Sequence, residues 1–244
     1  MVLFKAGGDI LDKLMQDTST DYRHEQKYFI TYTQATELTD RLSKVLPFDR
    51  YSVDKGKYLI SSVYFDTFEN KALEGTEAGL LKRKKYRIRA YNHDDSFISL
   101  EKKTKRGPLG KKESVRITRQ IYDDIMYKRG DMLLTLDSPL AHEFYHMINV
   151  EGYRPRTVVE YTRRAFVSDV SNVRITLDMN IKGSGSGVDM FLDSGSLVYT
   201  VPPCWVVLEV KYDHFLPDYI RNLLPDASVM QSSCSKYVFG RTFI

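Results

Sequence analysis

Apolar and polar residues alternate with a period of two along most of this chain, and charge fills many of the polar positions. Residues 22–30 set Arg23, Glu25 and Lys27 on one face and Tyr28 and Ile30 on the other, which predicts a strand. The same pattern predicts strands over 58–66 (Ser62, Tyr64 and Asp66 in phase), around 86–91 (Arg87 and Arg89), over 97–103 (Ser99, Glu101 and Lys103) and over 112–118 (Lys112, Ser114 and Arg116). It returns over 157–166 with Val159, Tyr161 and Arg163, over 173–179 with Arg174, Thr176 and Asp178, and over 205–212 with Val207, Glu209 and Lys211.

A period near 3.6 interrupts this pattern in a few places. Thr33 is the expected cap of a helix carrying Ala35, Leu38, Leu42 and Val45 and ending at Pro47. Further helices are predicted over 119–129 and 138–150, near 213–224, and over 7–17, where Ile10, Leu11, Leu14 and Met15 share a face. Residues 67–79 read as irregular, 106–110 as a turn, and 182–187 as a Gly and Ser loop. No internal repeat or charged linker divides the chain, so an N-terminal segment, 1–21, followed by one domain over 22–244 is expected. The fold class is α+β. Strands with one apolar and one charged face suit an antiparallel β-barrel with a polar, basic lumen and flanking helices. An open sheet with one wet face gives the same alternation.

With 42% apolar residues among 244, and 17 Tyr and 12 Phe, the chain can bury a core. Its two cysteines, Cys204 and Cys234, make neither a disulfide framework nor a zinc pattern and suit a reducing compartment. No apolar run reaches membrane-spanning length and no leader pattern opens the chain, so a cytoplasmic location is expected. Segment 7–17 is expected to cap its own domain, with docking to a membrane or a partner as the other use of its apolar face.

Charge sharpens this picture. Between Lys82 and Arg116 stand 13 Lys and Arg against four acids, a local balance of +9 in a chain whose total is +4. Across all strands the in-phase cations are Lys27, Arg87, Arg89, Lys103, Lys112, Arg116, Arg163, Lys211 and, at the margins, Arg174 and Lys236. The in-phase acids are Glu25, Glu101, Asp178 and Glu209. So many facing cations repel unless an anion neutralises them, and phosphate matches the guanidinium fork, each charge-assisted bond adding roughly 1.5–3 kcal/mol. The acids suit a divalent ion that bridges phosphate oxygens, Mn2+ or Mg2+. Lys82 to Lys85 read as the solvated mouth of such a site.

Arg23-x-Glu25-x-Lys27-Tyr28, Ser62-x-Tyr64-Phe65-Asp66, Arg87-x-Arg89-x-Tyr91, Glu101-x-Lys103, Tyr161-x-Arg163-x-Ala165-Phe166, Leu208-Glu209-Val210-Lys211 and Ser235-Lys236-Tyr237 follow one another in order. Their succession resembles the VTC domain, the catalytic domain of the vacuolar transporter chaperone polyphosphate polymerase, within the CYTH-like triphosphate tunnel metalloenzymes. The resemblance implies an antiparallel β tunnel that binds ATP, uses manganese and moves the γ-phosphoryl group onto a growing inorganic polyphosphate chain. It implies that Lys27, Arg87, Arg89, Lys103, Tyr161, Arg163 and Lys236 grip the triphosphate with Arg116 as a further partner, Lys112, Lys211 and Ser235 lying beside them. Glu209 is implied as the metal ligand, with Glu101 and Glu25 as further candidates. It also implies work beside a separate integral-membrane partner protein.

Two departures qualify the resemblance. Arg23 replaces the first glutamate of the Glu-x-Glu-x-Lys signature of tunnel hydrolases, which favours the VTC branch. Ser233 stands where the polymerase has another basic residue, which weakens the expectation of strong polymerase activity. An inorganic tripolyphosphatase, a nucleoside triphosphatase and a non-catalytic polyphosphate sensor are the alternatives. Nucleic acid is not the expected partner, since a narrow tunnel excludes bases. His142-Glu143-x-x-His146 matches a zinc-protease pattern but no third ligand stands out, so an ordinary helix with Phe144 and Ile148 toward the core is expected. Gly107 to Lys112 lacks the spacer and the hydroxyl residue of a phosphate loop and reads as a basic hairpin.

Overall fold

Alternating β-branched and aromatic residues produce nine strands in the computed structural model, which describes residues 23–51, 56–107, 109–184, 189–191, 197–225 and 234–242. They are β1 (His24–Thr31), β2 (Tyr58–Asp66), β3 (Lys82–Tyr91), β4 (Asp94–Arg106), β5 (Leu109–Ile117), β6 (Arg154–Ser168), β7 (Val173–Gly183), β8 (Val198–Tyr199) and β9 (Trp205–Tyr212). All pairings are antiparallel, in the order β1-β9-β7-β6-β2-β3-β4-β5, with the short β8 on β7. The sheet curls until its edge strands meet at a single bridge between Arg23 and Gly110. It is a tunnel-like sheet rather than a barrel closed by a continuous ladder.

Register carries one face around this curl, because directly paired residues point to the same side. Lys27 lies opposite Glu209, Thr176 opposite Glu209, Arg163 opposite Asp178, Ile60 opposite Tyr161, Ser62 opposite Arg89, and Arg87 opposite Glu101. The residues that the alternation put in phase therefore line the inside. The outer faces are apolar and covered. Ile88, Leu100 and Ile117 pack under helices α3 (Arg119–Tyr127) and α4 (Pro139–Asn149), while Ile175, Leu208 and Val210 pack under α1 (Tyr32–Ser43) and α5 (Asp218–Arg221).

Several local expectations change. The first helix is capped by Thr31, not Thr33: the Thr31 hydroxyl accepts from the Gln34 amide, and the Gln34 side chain accepts from the Thr31 amide. Residues 67–79, read as irregular, contain helix α2 (Lys71–Glu77), whose first turn is held by the buried carboxylate of Asp66 accepting from the Ala72 and Leu73 amides. The helix expected near 213–224 shrinks to α5, because Pro217 fixes the backbone at its cap. A helix that the apolar pattern did not predict, α6 (Lys236–Thr242), follows Ser235. Segment 7–17, Ser233 and part of the 182–187 loop lie outside the described residues.

Helix α6 alters the inside of the tunnel. Tyr237 stacks on Tyr64 with ring centroids 5.3 Å apart, Phe239 meets Phe29 at 5.7 Å, and the Thr157 hydroxyl donates to the Gly240 carbonyl at 2.9 Å. Glycine at 240 permits this approach, since a Cβ there would sit 2.7 Å from a Val159 methyl. With Tyr58, Ile60, Val159, Tyr161 and Val207 these residues form an apolar cluster within the curl. The expected polar lumen is thus divided into an aromatic half filled by α6 and a charged half.

Candidate functional site

Lys236, at the start of α6, carries its ammonium from the aromatic half into the charged half. There its Nζ lies 2.5 Å from Asp178 Oδ2, and Asp178 also accepts two bonds from Arg163, from Nε at 2.6 Å and from Nη2 at 2.8 Å. The Tyr161 ring lies beneath both cations, 5.3 Å from the Arg163 guanidinium and 4.7 Å from Lys236 Nζ, and its hydroxyl accepts from Arg89 Nη2 at 3.2 Å. On the neighbouring strands Arg87 donates to Glu101 from Nε at 2.7 Å and to the Tyr64 hydroxyl from Nη1 at 3.1 Å. Arg89 reaches Ser62 Oγ at 3.4 Å and stands 3.9 Å from Glu101. Arg89, Glu101, Tyr161, Arg163, Asp178, Glu209 and Lys236 are all buried.

From the other side Glu25 accepts two bonds from Lys103 Nζ, at 2.8 and 2.6 Å, and lies 3.4 Å from Lys27. Glu209 pairs with Lys211 at 2.7 Å. Ser235 Oγ accepts from Lys85 Nζ at 2.9 Å, and the adjoining carbonyl of Cys234 accepts from Lys27 Nζ at 3.1 Å. The structure therefore gathers Lys27, Arg87, Arg89, Lys103, Tyr161, Arg163, Lys211, Ser235 and Lys236 around one chamber. Lys112 stands at its open edge, exposed and 3.9 Å from Glu101.

Two of the in-phase cations are held by other partners. Arg116 donates to the Ser96 carbonyl at 2.8 Å and lies over the Phe97 ring, so it braces the β4 end instead of gripping a ligand in the lumen. Arg174 is engaged by Asp49 and by the Tyr58 hydroxyl. Lys85 corrects the reading of Lys82 to Lys85 as a solvated mouth: Lys82 and Lys84 are exposed, but Lys85 is paired with Lys103 in register and faces inward. Its signal was present, two residues before Arg87 in the same phase.

His142 and His146 are exposed on α4 while Phe144 and Ile148 are buried, as an ordinary helix requires. Glu143, the base of the zinc pattern, accepts instead from Lys84, Tyr86 and Lys102.

The electrostatics show which charges are already compensated. Burial alone would raise the Glu25 and Asp178 carboxyls, but Lys27 and Lys103 hold Glu25 down to about 2, and Arg163 and Lys236 hold Asp178 down to about 2. Burial likewise opposes ionisation of Glu101 and Glu209, yet Arg87 and Arg89 keep the first, and Lys211 and Lys27 the second, far below the usual range. Lysines with too little compensation behave in the opposite way. Lys85 is pushed down to about 7 by burial and by Lys27 and Lys103, and Lys103 to about 7 by burial and by Lys27 and Lys211 in spite of Glu25.

A pH dependence follows from the carboxylates. Groups whose folded pKa is depressed add stability that is fully present above their unfolded values, near 4, and is lost as pH falls toward 2. Melting temperature is expected to hold to about pH 5 and to drop steeply below pH 4. Scanning calorimetry across that range checks this, and a flat profile to pH 3 would contradict the ion-pair geometry.

A divalent metal is the cofactor that such a chamber calls for. Among the described residues no group of three or more metal-ligating side chains forms, so Glu25, Glu101 and Glu209 do not make a single cage. Glu101 is committed to Arg87. Glu25 and Glu209 stand on the adjacent strands β1 and β9, two residues apart in register, and are paired with lysines that a metal can replace. Two carboxylates fit Mg2+ or Mn2+ that takes its other ligands from phosphate and water.

The model of the VTC domain matches residues 22–244. The chain belongs to the VTC domain family. The VTC domain is thus the frame for the chamber, a tunnel-like sheet of antiparallel strands. Among solved structures, similar ones include a candidate adenylate cyclase from Bacillus halodurans (TM-score 0.43, 12% identity, covering 83% of this chain and 86% of that one). Another is a candidate adenylate cyclase from Vibrio parahaemolyticus (0.41, 14%, 83% and 84%), and a third a protein of Pyrococcus horikoshii (0.42, 14%, 82% and 84%). A search of curated proteins returned no match.

Proposed function

We propose that this VTC domain is a polyphosphate-forming phosphotransferase, a single tunnel domain from residue 22 onward that moves the γ-phosphoryl group of ATP onto inorganic polyphosphate. The observation that carries the proposal is the ring of cations around four carboxylates, with Arg89, Arg163 and Lys236 buried and Arg87, Lys27, Lys103 and Lys211 half-buried. Phosphoryl transfer asks for in-line positioning and neutralisation of spreading negative charge more than for a covalent nucleophile. Arg87 and Arg89 present guanidinium groups from one strand, and Arg163 and Lys236 present cations from across the lumen. Their bonds to Glu101 and Asp178 hold these side chains in place before a ligand arrives, so little ordering remains to be done on binding. Glu25 and Glu209 would hold a divalent ion, which would supply additional positive charge to the phosphate oxygens. Polyphosphate or phosphate, aligned with the γ-phosphorus, is the acceptor, and the aromatic half of the lumen limits competing water.

Incubation with ATP and Mn2+ separates this function from its relatives on the same fold. Accumulation of long-chain polyphosphate, seen by gel staining and lost on exopolyphosphatase treatment, is expected. Release of orthophosphate alone identifies a hydrolase, and binding without turnover identifies a sensor. Binding partners beyond ATP and polyphosphate are expected among integral-membrane proteins, not nucleic acids. No helix among the described residues is long and apolar enough to cross a membrane.

A further inference from the structure

Outside the chamber one pair of charges is left unmatched. Where the last turn of α6 meets the start of β6, Arg241 Nη2 and Arg156 Nη2 both donate to a single oxygen, Asn70 Oδ1, at 2.9 and 3.1 Å. Two guanidinium groups thus share one neutral acceptor, which carries no charge to offset their repulsion. Arg241 also reaches the Arg156 carbonyl at 3.5 Å, but Arg156 Nε is buried without a hydrogen-bond partner, and neither guanidinium makes an ion pair among the described residues. Two acids of this region are engaged elsewhere: Asp66 accepts from the amides of Thr67, Ala72 and Leu73 and from the Tyr237 hydroxyl, and Glu151 pairs with Lys71. Asn70 precedes α2 with a left-handed backbone, φ 59°, and its side chain does not cap that helix.

We propose that Arg156, Arg241 and Asn70 form an oxyanion site outside the chamber, which takes a single phosphate group and thereby steadies α6. Each guanidinium presents its N–H donors as a planar fork, and the two oxygens of a carboxylate are met by one such fork. Two forks that converge from different elements match a tetrahedral anion, which has oxygens on more than one side. The site does not depend on what the chamber binds.

An occupant acts on the chamber through α6. Phosphate bridging Arg241 and Arg156 ties the last turn of this helix to β6, while Lys236, at the first residue of the same helix, holds Asp178 in the chamber. With the site empty, the close of α6 is held by Asn70 and by the Thr157 hydroxyl on the Gly240 carbonyl. A ligand that binds only while the helix is in place makes its opening rarer by mass action. The chamber cation that α6 carries is then held more firmly without being touched.

The test titrates orthophosphate into the full chain after one equivalent of tripolyphosphate has filled the chamber, followed by calorimetry and by amide hydrogen exchange over residues 236–242. Orthophosphate is expected to bind and to slow that exchange severalfold. In Arg156→Met/Arg241→Met its affinity falls roughly tenfold or more and the protection disappears, while the first equivalent of tripolyphosphate still binds. Asn70→Asp guards against a poorly folded double variant: aspartate tolerates the left-handed backbone, pairs with both guanidiniums, raises the melting temperature and excludes orthophosphate to the same extent. A second equivalent of tripolyphosphate that is lost in the same variants would identify the end of a polyphosphate, not free orthophosphate, as the source of the phosphate group. Absence of binding to the unaltered protein, binding that survives both variants, or exchange over 236–242 that orthophosphate leaves unchanged overturns the proposal. Should tripolyphosphate fail to bind, the chamber reading falls, and orthophosphate titrated into the free protein and the two variants decides this site by the same loss.

Discussion

Arg87→Ala combined with Arg89→Ala lowers turnover of ATP by roughly a thousandfold or more, the scale expected when preorganised donors to a developing phosphoryl charge are removed. The pair is chosen because both guanidiniums are fixed from the lumen wall, Arg87 by Glu101 and Tyr64, Arg89 by Ser62 and Tyr161. One complication is built into the geometry. Glu101 is only 3% exposed, and without Arg87 it is left as a buried charge, a loss of about 3–5 kcal/mol. A dead Arg87→Ala enzyme is therefore ambiguous between catalysis and folding. Arg87→Gln/Glu101→Gln removes both charges together, and it is expected to remain folded while staying inactive. Full activity in that double variant would show that Arg87 does not touch the transferring group. Arg116→Ala is the matching control, because its guanidinium bonds the Ser96 carbonyl outside the chamber, and turnover near that of the unaltered protein is expected.

Asp178→Asn gives the largest effect on stability. Its carboxylate is fully buried and holds Arg163 through two bonds and Lys236 through one, so neutralising it strands two cations. A loss of about 3–5 kcal/mol is expected, or roughly 6–20 °C in melting temperature for a chain of this size. Tripolyphosphate should recover part of that loss, because its oxygens can replace the missing carboxylate between Arg163 and Lys236. The measurement is the melting temperature of both proteins with and without saturating tripolyphosphate. An equal shift from the ligand in Asp178→Asn and in the unaltered protein would mean that phosphate does not bind between these cations.

Why Asp178 matters so much was only half legible in the sequence. Its phase with Thr176 placed it inside, but nothing local says that its partners are Arg163, fifteen residues earlier, and Lys236 from a separate helix. Pairings of that kind depend on strand order, and the order β1-β9-β7-β6-β2-β3-β4-β5 joins residues far apart in the chain. Arg116 and Arg174 show the converse. Both share the phase of the lumen residues, yet each bonds an acceptor that the phase does not predict, Ser96 or Asp49. Period two specifies a side of a strand, and a long flexible side chain decides the rest.

Helix α6 was missed for a related reason. Seven residues give little periodic signal, and Lys236-Tyr237-Val238-Phe239-Gly240 reads as well as an irregular end as it does as a helix. Its stability comes from what surrounds it, the Tyr64 ring, the Thr157 hydroxyl and the Val159 side chain. Short helices are made by tertiary packing more than by propensity.

By itself the sequence determined which residues could face one another. Alternation sorted the strands into an apolar outer face and a charged inner one, because a pleated chain can bury only one side of such a pattern. Concentration of Lys and Arg on that inner face, with a few acids, determined that the interior suits an oxyanion. Only the tertiary structure decided how these charges are matched. The curl of the sheet pairs Asp178 with Arg163 and Lys236, and Glu101 with Arg87. It leaves Lys85 without a carboxylate, and it lets α6 fill one half of the lumen. Ion pairing falls off within a few ångströms, so it is settled by packing and not by the order of residues along the chain.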